Sequence, residues 1–159
     1  MARQTYPLEA LRKLRDEKAE ALAQGLGRQI ARTQQAQAAL AEREAQRRDH
    51  AARAQETVRA EQQRLQAGAV SGVDLRRIAD FQAATRAQAE VLERAESAAR
   101  QALAREQTAE QNLRVEQAAR EAEAKLVRNH EQSFHERQAE LAQKAEEEAA
   151  LEQWNAIRH

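Results

Sequence analysis

The sequence predicts an all-α fold in which two long antiparallel helices form an α-helical hairpin, or coiled coil. Aromatic residues make up 3% of the chain and charged residues 33%, with an Ala, Glu, Arg, Gln and Leu bias that is typical of long helices rather than a globular core. The chain has one proline and four glycines, which is too few for most disordered segments. Helix-breaking residues cluster at one place only, residues 66–74.

That cluster defines the turn. Gly68 stands where the C-terminus of a helix needs a left-handed backbone. Ser71 and Asp74 have the spacing of an N-terminal capping box. One helix therefore ends and another begins within about eight residues, which makes the two helices antiparallel neighbours. We expect a single hairpin domain over residues 1–159, with its turn at 68–72.

Helix 1 is predicted over about residues 7–67, with Pro7 in its first turn and residues 1–6 frayed. Its large apolar residues follow the 3.6-residue period of a straight helix and predict one packed stripe. Between Leu40 and Val58 this face carries Glu44 and Arg47, so packing should be thin and the hairpin compliant there. The stripe consists of Leu8, Leu11, Leu14, Leu22, Leu26, Ile30, Leu40, Val58 and Leu65.

Helix 2 is predicted over about residues 73–156 and follows a seven-residue repeat, which implies gentle left-handed supercoiling. Charged pairs at i,i+4 on its exposed faces support a long solvated helix. The repeat consists of Ile78, Thr85, Leu92, Ala99, Glu106, Leu113, Arg120, Val127, Phe134 and Leu141. The pairs are Glu90–Arg94, Glu96–Arg100, Glu110–Arg114, Glu116–Arg120, Glu121–Lys125 and Glu140–Lys144.

The two helices are unequal in length. Folding the chain about position 70 places residue 10 opposite residue 130, so that the last 20 to 25 residues of helix 2 project as a C-terminal overhang, by roughly 35 Å. An isolated helix with exposed large apolar residues is marginal in water and usually has a partner. The competing expectations are that the N-terminal residues fold back over the overhang, or that its end frays. The overhang carries Leu141, Leu151, Trp154 and Ile157.

Several classes of function are disfavoured. A net charge of zero argues against a nucleic-acid partner, and the absence of cysteine excludes a thiolate metal site. No apolar run is long enough for membrane insertion, so we expect a cytoplasmic protein. His130 and His135 are five residues apart and cannot share a helical face as metal ligands. A two-helix hairpin has no pocket for catalysis or a cofactor, so we expect neither enzyme activity nor a cofactor.

Three local segments follow a recognisable pattern. Residues 6–15 are an aromatic-Pro-Leu followed by leucines and basic residues. Residues 75–81, just after the turn, carry an apolar residue and an aromatic three apart at Ile78 and Phe81, and residues 119–126 are followed by an acidic run that ends at Trp154. These segments resemble the start, the post-turn segment and the C-terminal pattern of the FliJ/YscO family, the coiled-coil stalk proteins of bacterial type III secretion systems, flagellar or injectisome. The family's tip tyrosines are missing.

The resemblance implies a central stalk that is monomeric when alone and lies in the cytoplasm beside the inner-membrane secretion apparatus. The end with both termini would enter the hexameric secretion ATPase, promoting ring assembly and ATP hydrolysis. The region near the turn would contact the cytoplasmic domain of the export gate, and free export chaperones are further implied partners. The implied ATPase contacts are Leu8, Leu11, Leu141, Leu151, Trp154 and Ile157, and the gate contacts are Val58, Leu65, Ile78 and Phe81.

Two alternatives stay open. The first is a coiled-coil scaffold or spacer that homodimerises along the apolar stripe. The second is a helical arm that binds nucleic acid, which would need a basic face, whereas the charges of this chain are interleaved. For Ile78 and Phe81, plain packing within the hairpin against Val58 and Leu65 is an equal alternative to gate contact.

Overall fold

The computed structural model describes residues 5–68 and 70–158, and it consists of two long helices packed against each other. Helix α1 runs over Glu9–Gln66 and helix α2 over Gly72–Ile157. No strand occurs in the described ranges, and the all-α helical hairpin is confirmed. No helix within these ranges is long and apolar enough to cross a membrane.

The chain divides into two compact units, each built from part of α1 and part of α2. One unit joins Met1–Leu26 to Asn112–His159, and the other is Gly27–Gln111. In the first unit Arg12 contacts Glu131 and Arg15 contacts Glu123. In the second Gln29 contacts Glu106, whereas Arg47 contacts Glu96. Residue numbers rise on α1 as they fall on α2, so the helices are antiparallel within each unit. The Arg12–Glu131 contact agrees with the expectation that residue 10 lies opposite residue 130.

The turn has the predicted chemistry at both helix ends. Gly68 has φ 74°, in the left-handed region that glycine tolerates, and its N–H donates to the Leu65 carbonyl at 3.1 Å. The Ser71 backbone N–H donates to Oδ2 of Asp74 at 3.0 Å, and the Asp74 N–H donates to Oγ of Ser71 at 3.3 Å. This reciprocal pair is a capping box. Ala69, inside the expected turn 68–72, lies outside the described residues.

The packed face of α2 follows the predicted seven-residue repeat. Every member from Ile78 to Phe134, including Glu106 and Arg120, is half-buried against α1. A second row of buried and half-buried residues on α2 alternates with the first. Together the two rows give steps of three and four residues along the helix, as in a coiled coil. The repeat fails only at Leu141, which is exposed. The second row consists of Glu96, Leu103, Glu110, Gln117, Ala124, Glu131 and Gln138.

The predicted apolar stripe of α1 is wrong over much of its length. Its buried and half-buried residues between 12 and 40 follow the same alternating three- and four-residue steps, so α1 follows the period of its partner rather than that of a straight helix. Leu22, Leu26, Ile30 and Leu40 are half-buried as expected. The rest of the stripe is exposed: Leu8, Leu11, Leu14, Val58 and Leu65. The packed positions instead include Arg12, Arg15, Ala19, Gln29, Thr33 and Ala36.

Polar contacts replace apolar packing at several levels. In unit Gly27–Gln111, Nε2 of the buried Gln29 side chain donates to the Glu106 carbonyl oxygen at 3.2 Å and also to the Glu106 carboxylate. In the other unit Arg128 Nε lies 2.9 Å from Oδ1 of Asp16. Such contacts cannot be kept if one helix slides along the other, so they fix the register of the pair.

Opposite the stretch of α1 predicted to pack thinly lies the most buried carboxylate of the described residues, Glu96. The Glu96 side chain is 6% exposed and lies between Arg47 Nε at 2.6 Å and Arg100 Nη2 at 2.7 Å. Arg100 also reaches Glu44 at 3.5 Å. The Arg47 contact is an ion pair without hydrogen-bond alignment at Oε2. Glu44 and Arg47, which seemed to interrupt the stripe, instead hold α1 to α2 here.

Of the predicted i,i+4 pairs, Glu90–Arg94 and Glu96–Arg100 form, at 3.6 and 2.7 Å. Two of the other predicted pairs have changed partners. Arg120 pairs with Glu123 rather than Glu116, and Glu121 accepts a hydrogen bond from Gln117. Surface pairs of this kind contribute only a few tenths of a kcal/mol each, so the exchange changes stability little.

The capping box predicts a pH effect on the start of α2. Its hydrogen bonds from the Ser71 backbone and hydroxyl hold the pKa of Asp74 below the ordinary aspartate range. Because the folded pKa lies below the unfolded one, this contribution is full above the unfolded pKa and is lost as pH falls through the folded pKa. An NMR titration of the Asp74 carboxyl should show the low midpoint, and Ser71→Ala should raise it and cost about 1 kcal/mol of stability. An unchanged midpoint in Ser71→Ala would contradict the capping box.

The Glu96 cluster predicts an asymmetry between removing the acid and removing its bases. Replacing Arg47 and Arg100 by alanine leaves a buried carboxylate unpaired and should cost about 3 kcal/mol in urea unfolding. Glu96→Leu should cost less than about 1 kcal/mol, because Arg47 and Arg100 are 51% and 61% exposed and stay hydrated. Glu93→Leu, at an exposed site one turn earlier, is the control. Equal losses for Glu96→Leu and the double arginine variant would refute the asymmetry.

Candidate functional site

The N-terminal residues pack beside α2 just before the overhang begins. Tyr6, expected to fray, is buried; its hydroxyl lies 2.8 Å from Nδ1 of His130, and its ring centroid lies 5.6 Å from that of Phe134. The Tyr6 carbonyl oxygen accepts a hydrogen bond from the Glu9 N–H at 3.2 Å, which starts α1. Residues 1–4, also expected to fray, lie outside the described residues. Tyr6 is therefore packed against α2 at the level of His130 and Phe134, close to the start of the exposed C-terminal part of α2.

Beyond that level, no described residue of α1 packs against α2. All residues from 139 to 158 are exposed, and they remain helical to Ile157. Gln138 is the last half-buried residue. We call residues 139–158 the overhang; its length agrees with the 20 to 25 residues expected. At 1.5 Å per residue it extends roughly 30 Å.

The overhang presents large apolar side chains to solvent on more than one side. Leu141, Leu151, Trp154 and Ile157 are 60% to 84% exposed. Leu151, Trp154 and Ile157 are three residues apart and spread over an arc of about 120°. Leu141 continues the packed repeat of α2 and lies about 140° around the helix from Trp154. A flat partner could cover one of these sides, whereas a concave partner could cover both.

The overhang is also acidic, and its charges are unpaired. It carries five glutamates against one lysine and one arginine, a formal charge of −3. Within the described residues 139–158, none of these side chains forms an ion pair, and the predicted Glu140–Lys144 pair is not formed. The Glu147 carboxylate accepts a hydrogen bond from Nε2 of Gln143 at 3.0 Å. The glutamates are Glu140, Glu146, Glu147, Glu148 and Glu152.

The remaining implied contact residues fall in two groups. Leu8 and Leu11 are exposed in the first turns of α1, in the same unit as the overhang. Val58, Leu65 and Phe81 are exposed near the turn in the other unit, whereas Ile78 is half-buried on the packed face. The alternative for Ile78, packing within the hairpin, agrees with its burial.

Sequence reasoning missed two exposed apolar residues at the turn. Val73 is 63% exposed and Leu75 is 54% exposed, both in the first turn of α2. Val73 lies inside the capping box and Leu75 directly follows it, and only the structure reveals that both face solvent. The apolar surface near the turn is therefore larger than the four implied gate residues.

The histidines of α2 serve the N-terminal contact. His130 hydrogen-bonds with Tyr6, and the ring of His135 lies edge-on to Phe134, with centroids 5.5 Å apart. Nε2 of His135 lies 4.0 Å from Glu131. Among residues 5–68 and 70–158, no group of three or more His, Asp or Glu side chains is arranged to hold a metal ion.

Comparison of the chain with protein-family models, with curated proteins and with solved structures found no match.

Proposed function

We propose that this chain is the non-catalytic central stalk of a type III secretion ATPase. In this role the unit that carries both chain ends inserts into the hexameric ring, where it promotes ring assembly and ATP hydrolysis. The surface near the turn contacts the cytoplasmic domain of the export gate, and free export chaperones are further partners. The protein would act in the cytoplasm, beside the inner-membrane secretion apparatus.

The observation that carries the proposal is the overhang. Exposed large apolar side chains on a helix without tertiary cover are unstable in water unless a partner covers them. Here they face two sides of the helix, about 140° apart. The hole of a ring encloses a helix from all sides, so an inserted overhang would bury Leu141 and Trp154 together. This is the geometry that the resemblance to the stalk family implies.

The turn supports the second half of the proposal. Val73, Leu75 and Phe81 are exposed within the first ten residues of α2. The capping box holds the start of α2 in place, so these side chains are presented on an ordered helix rather than a loose loop. An apolar surface of this kind suits a protein partner.

A homodimeric scaffold is the second candidate, and one observation favours it. Leu14 and Leu126 are exposed, at 46% and 70%, on neighbouring helices of the same unit. The Arg12–Glu131 and Arg15–Glu123 contacts bracket them, so the two leucines lie at one level of the helix pair. A second copy could cover both. Sedimentation should show a dimer at micromolar concentration that Leu14→Glu disrupts if the scaffold is correct, and a monomer if the stalk is correct.

The stalk proposal predicts stimulation of the secretion ATPase that depends on the overhang. Adding the full chain should raise the rate of ATP hydrolysis several-fold, truncation after residue 140 should abolish the increase, and Trp154→Ala should weaken binding by about 2 kcal/mol, as expected for an aromatic contact residue. Val91→Ala, which removes an exposed apolar side chain in the other unit, is the matched control and should stimulate normally. Full stimulation by the truncated chain, or none by the folded monomer, would overturn the proposal.

A further inference from the structure

The overhang differs from the rest of its unit in how its carboxylates are satisfied. Where α1 lies beside α2, glutamates of α2 meet arginines across the pair, Glu123 with Arg15 and Glu131 with Arg12. Past Gln138 no described base of α1 lies beside α2, and within the described residues the five glutamates of the overhang form no ion pair. The same segment carries the most exposed large apolar residue of the described chain, Ile157. Both apolar area and negative charge are therefore left unmatched on one helix.

Charge limits what can cover this helix. A second overhang would bring a formal charge of −3 against another −3, and like charges in contact cost energy. An anionic membrane surface would repel it for the same reason. A partner that offers apolar surface alone would leave the glutamates between or beside the apolar side chains desolvated and unpaired. Only a basic apolar surface matches both properties.

The directions in which the carboxylates point also indicate the shape of the partner's surface. Glu146, Glu147 and Glu148 are consecutive and point in directions about 100° apart, so together they cover about 200° of the helix circumference. Glu147 lies one turn before Leu151, on the side of Trp154, whereas Glu148 lies on the side of Leu141. Bases that met all three would have to approach from several sides of the helix.

We propose that the overhang binds in an apolar, concave surface whose wall carries lysine and arginine side chains that pair with Glu146, Glu147 and Glu148. The inference rests on the proposed function for the identity of the partner, the secretion ATPase, and adds the chemistry of the contact. Charge pairs at the rim speed association, whereas Trp154 and Ile157 supply the buried apolar area that slows dissociation.

Trp154 makes the binding directly measurable, because it is the single tryptophan of the chain and lies in the overhang at 61% exposure. Its emission should shift to shorter wavelength when a partner covers it. The probes are the secretion ATPase and a pair of short amphipathic peptides, one of leucine and lysine and one of leucine and glutamate. The full chain should bind the ATPase and the lysine peptide with an affinity that falls as salt is raised, and should not bind the glutamate peptide.

The test variant is Glu146→Lys/Glu147→Lys/Glu148→Lys in the full chain. It should bind both the ATPase and the lysine peptide at least about tenfold more weakly and with less dependence on salt. Lysine and glutamate have nearly equal helix propensity, so far-UV circular dichroism should show no loss of helix. The control variant, Asp49→Lys/Glu56→Lys/Glu93→Lys, makes the same change in net charge at exposed sites of the other unit, and should change affinity less than about twofold.

The outcomes separate the two proposals. Undiminished ATPase binding by the triple overhang variant, with stimulation intact, would overturn the basic wall and leave the stalk in place. A lysine peptide that shifts Trp154 no more than the glutamate peptide would also overturn it. If the ATPase neither binds nor responds to the wild-type chain while the lysine peptide binds through the three glutamates, the stalk proposal fails and the preference for a basic apolar surface stands.

Discussion

The structure depends on a constraint of geometry: two helices lying side by side can bury only one strip each. Among the described residues no large side chain is fully buried, and the apolar core consists of Tyr6, Ala19 and Ala124. With so little to bury, the pair uses the stems of long polar residues for contact and their ends for ion pairs. The cross-helix contacts of Arg12, Arg47 and Gln29 therefore contribute more to the register of the two helices than to the free energy of unfolding.

The same constraint explains which predictions from sequence succeeded. The turn was predictable because its chemistry is local: Gly68, Ser71 and Asp74 fix it within a few residues. The repeat of α2 was predictable because its apolar members recur often enough to define a period, even across Glu106 and Arg120. The overhang followed from the unequal helix lengths alone.

The residues of α1 that pack against α2 could not be predicted from the sequence in this way. Its leucines define a stripe, but Leu11 and Leu14 lie beside the contact rather than in it, because the position of a helix is set by its partner and not by its own apolar residues. Arg15 and Gln29 look like surface residues in the sequence and are packed because α2 supplies their partners. The burial of Tyr6 likewise depends on His130 and Phe134, which are far away in sequence. Such pairings carry no local signal.

The small apolar core also determines how the protein should respond to heat. The heat-capacity change and the denaturant m-value of unfolding both grow with the apolar surface that unfolding exposes. Here that surface is a narrow strip with Gln29 and Glu96 among its most buried residues. Its stability curve should be flat over temperature and its melting broad, so the protein would lose its structure gradually from places such as the overhang rather than in one sharp transition.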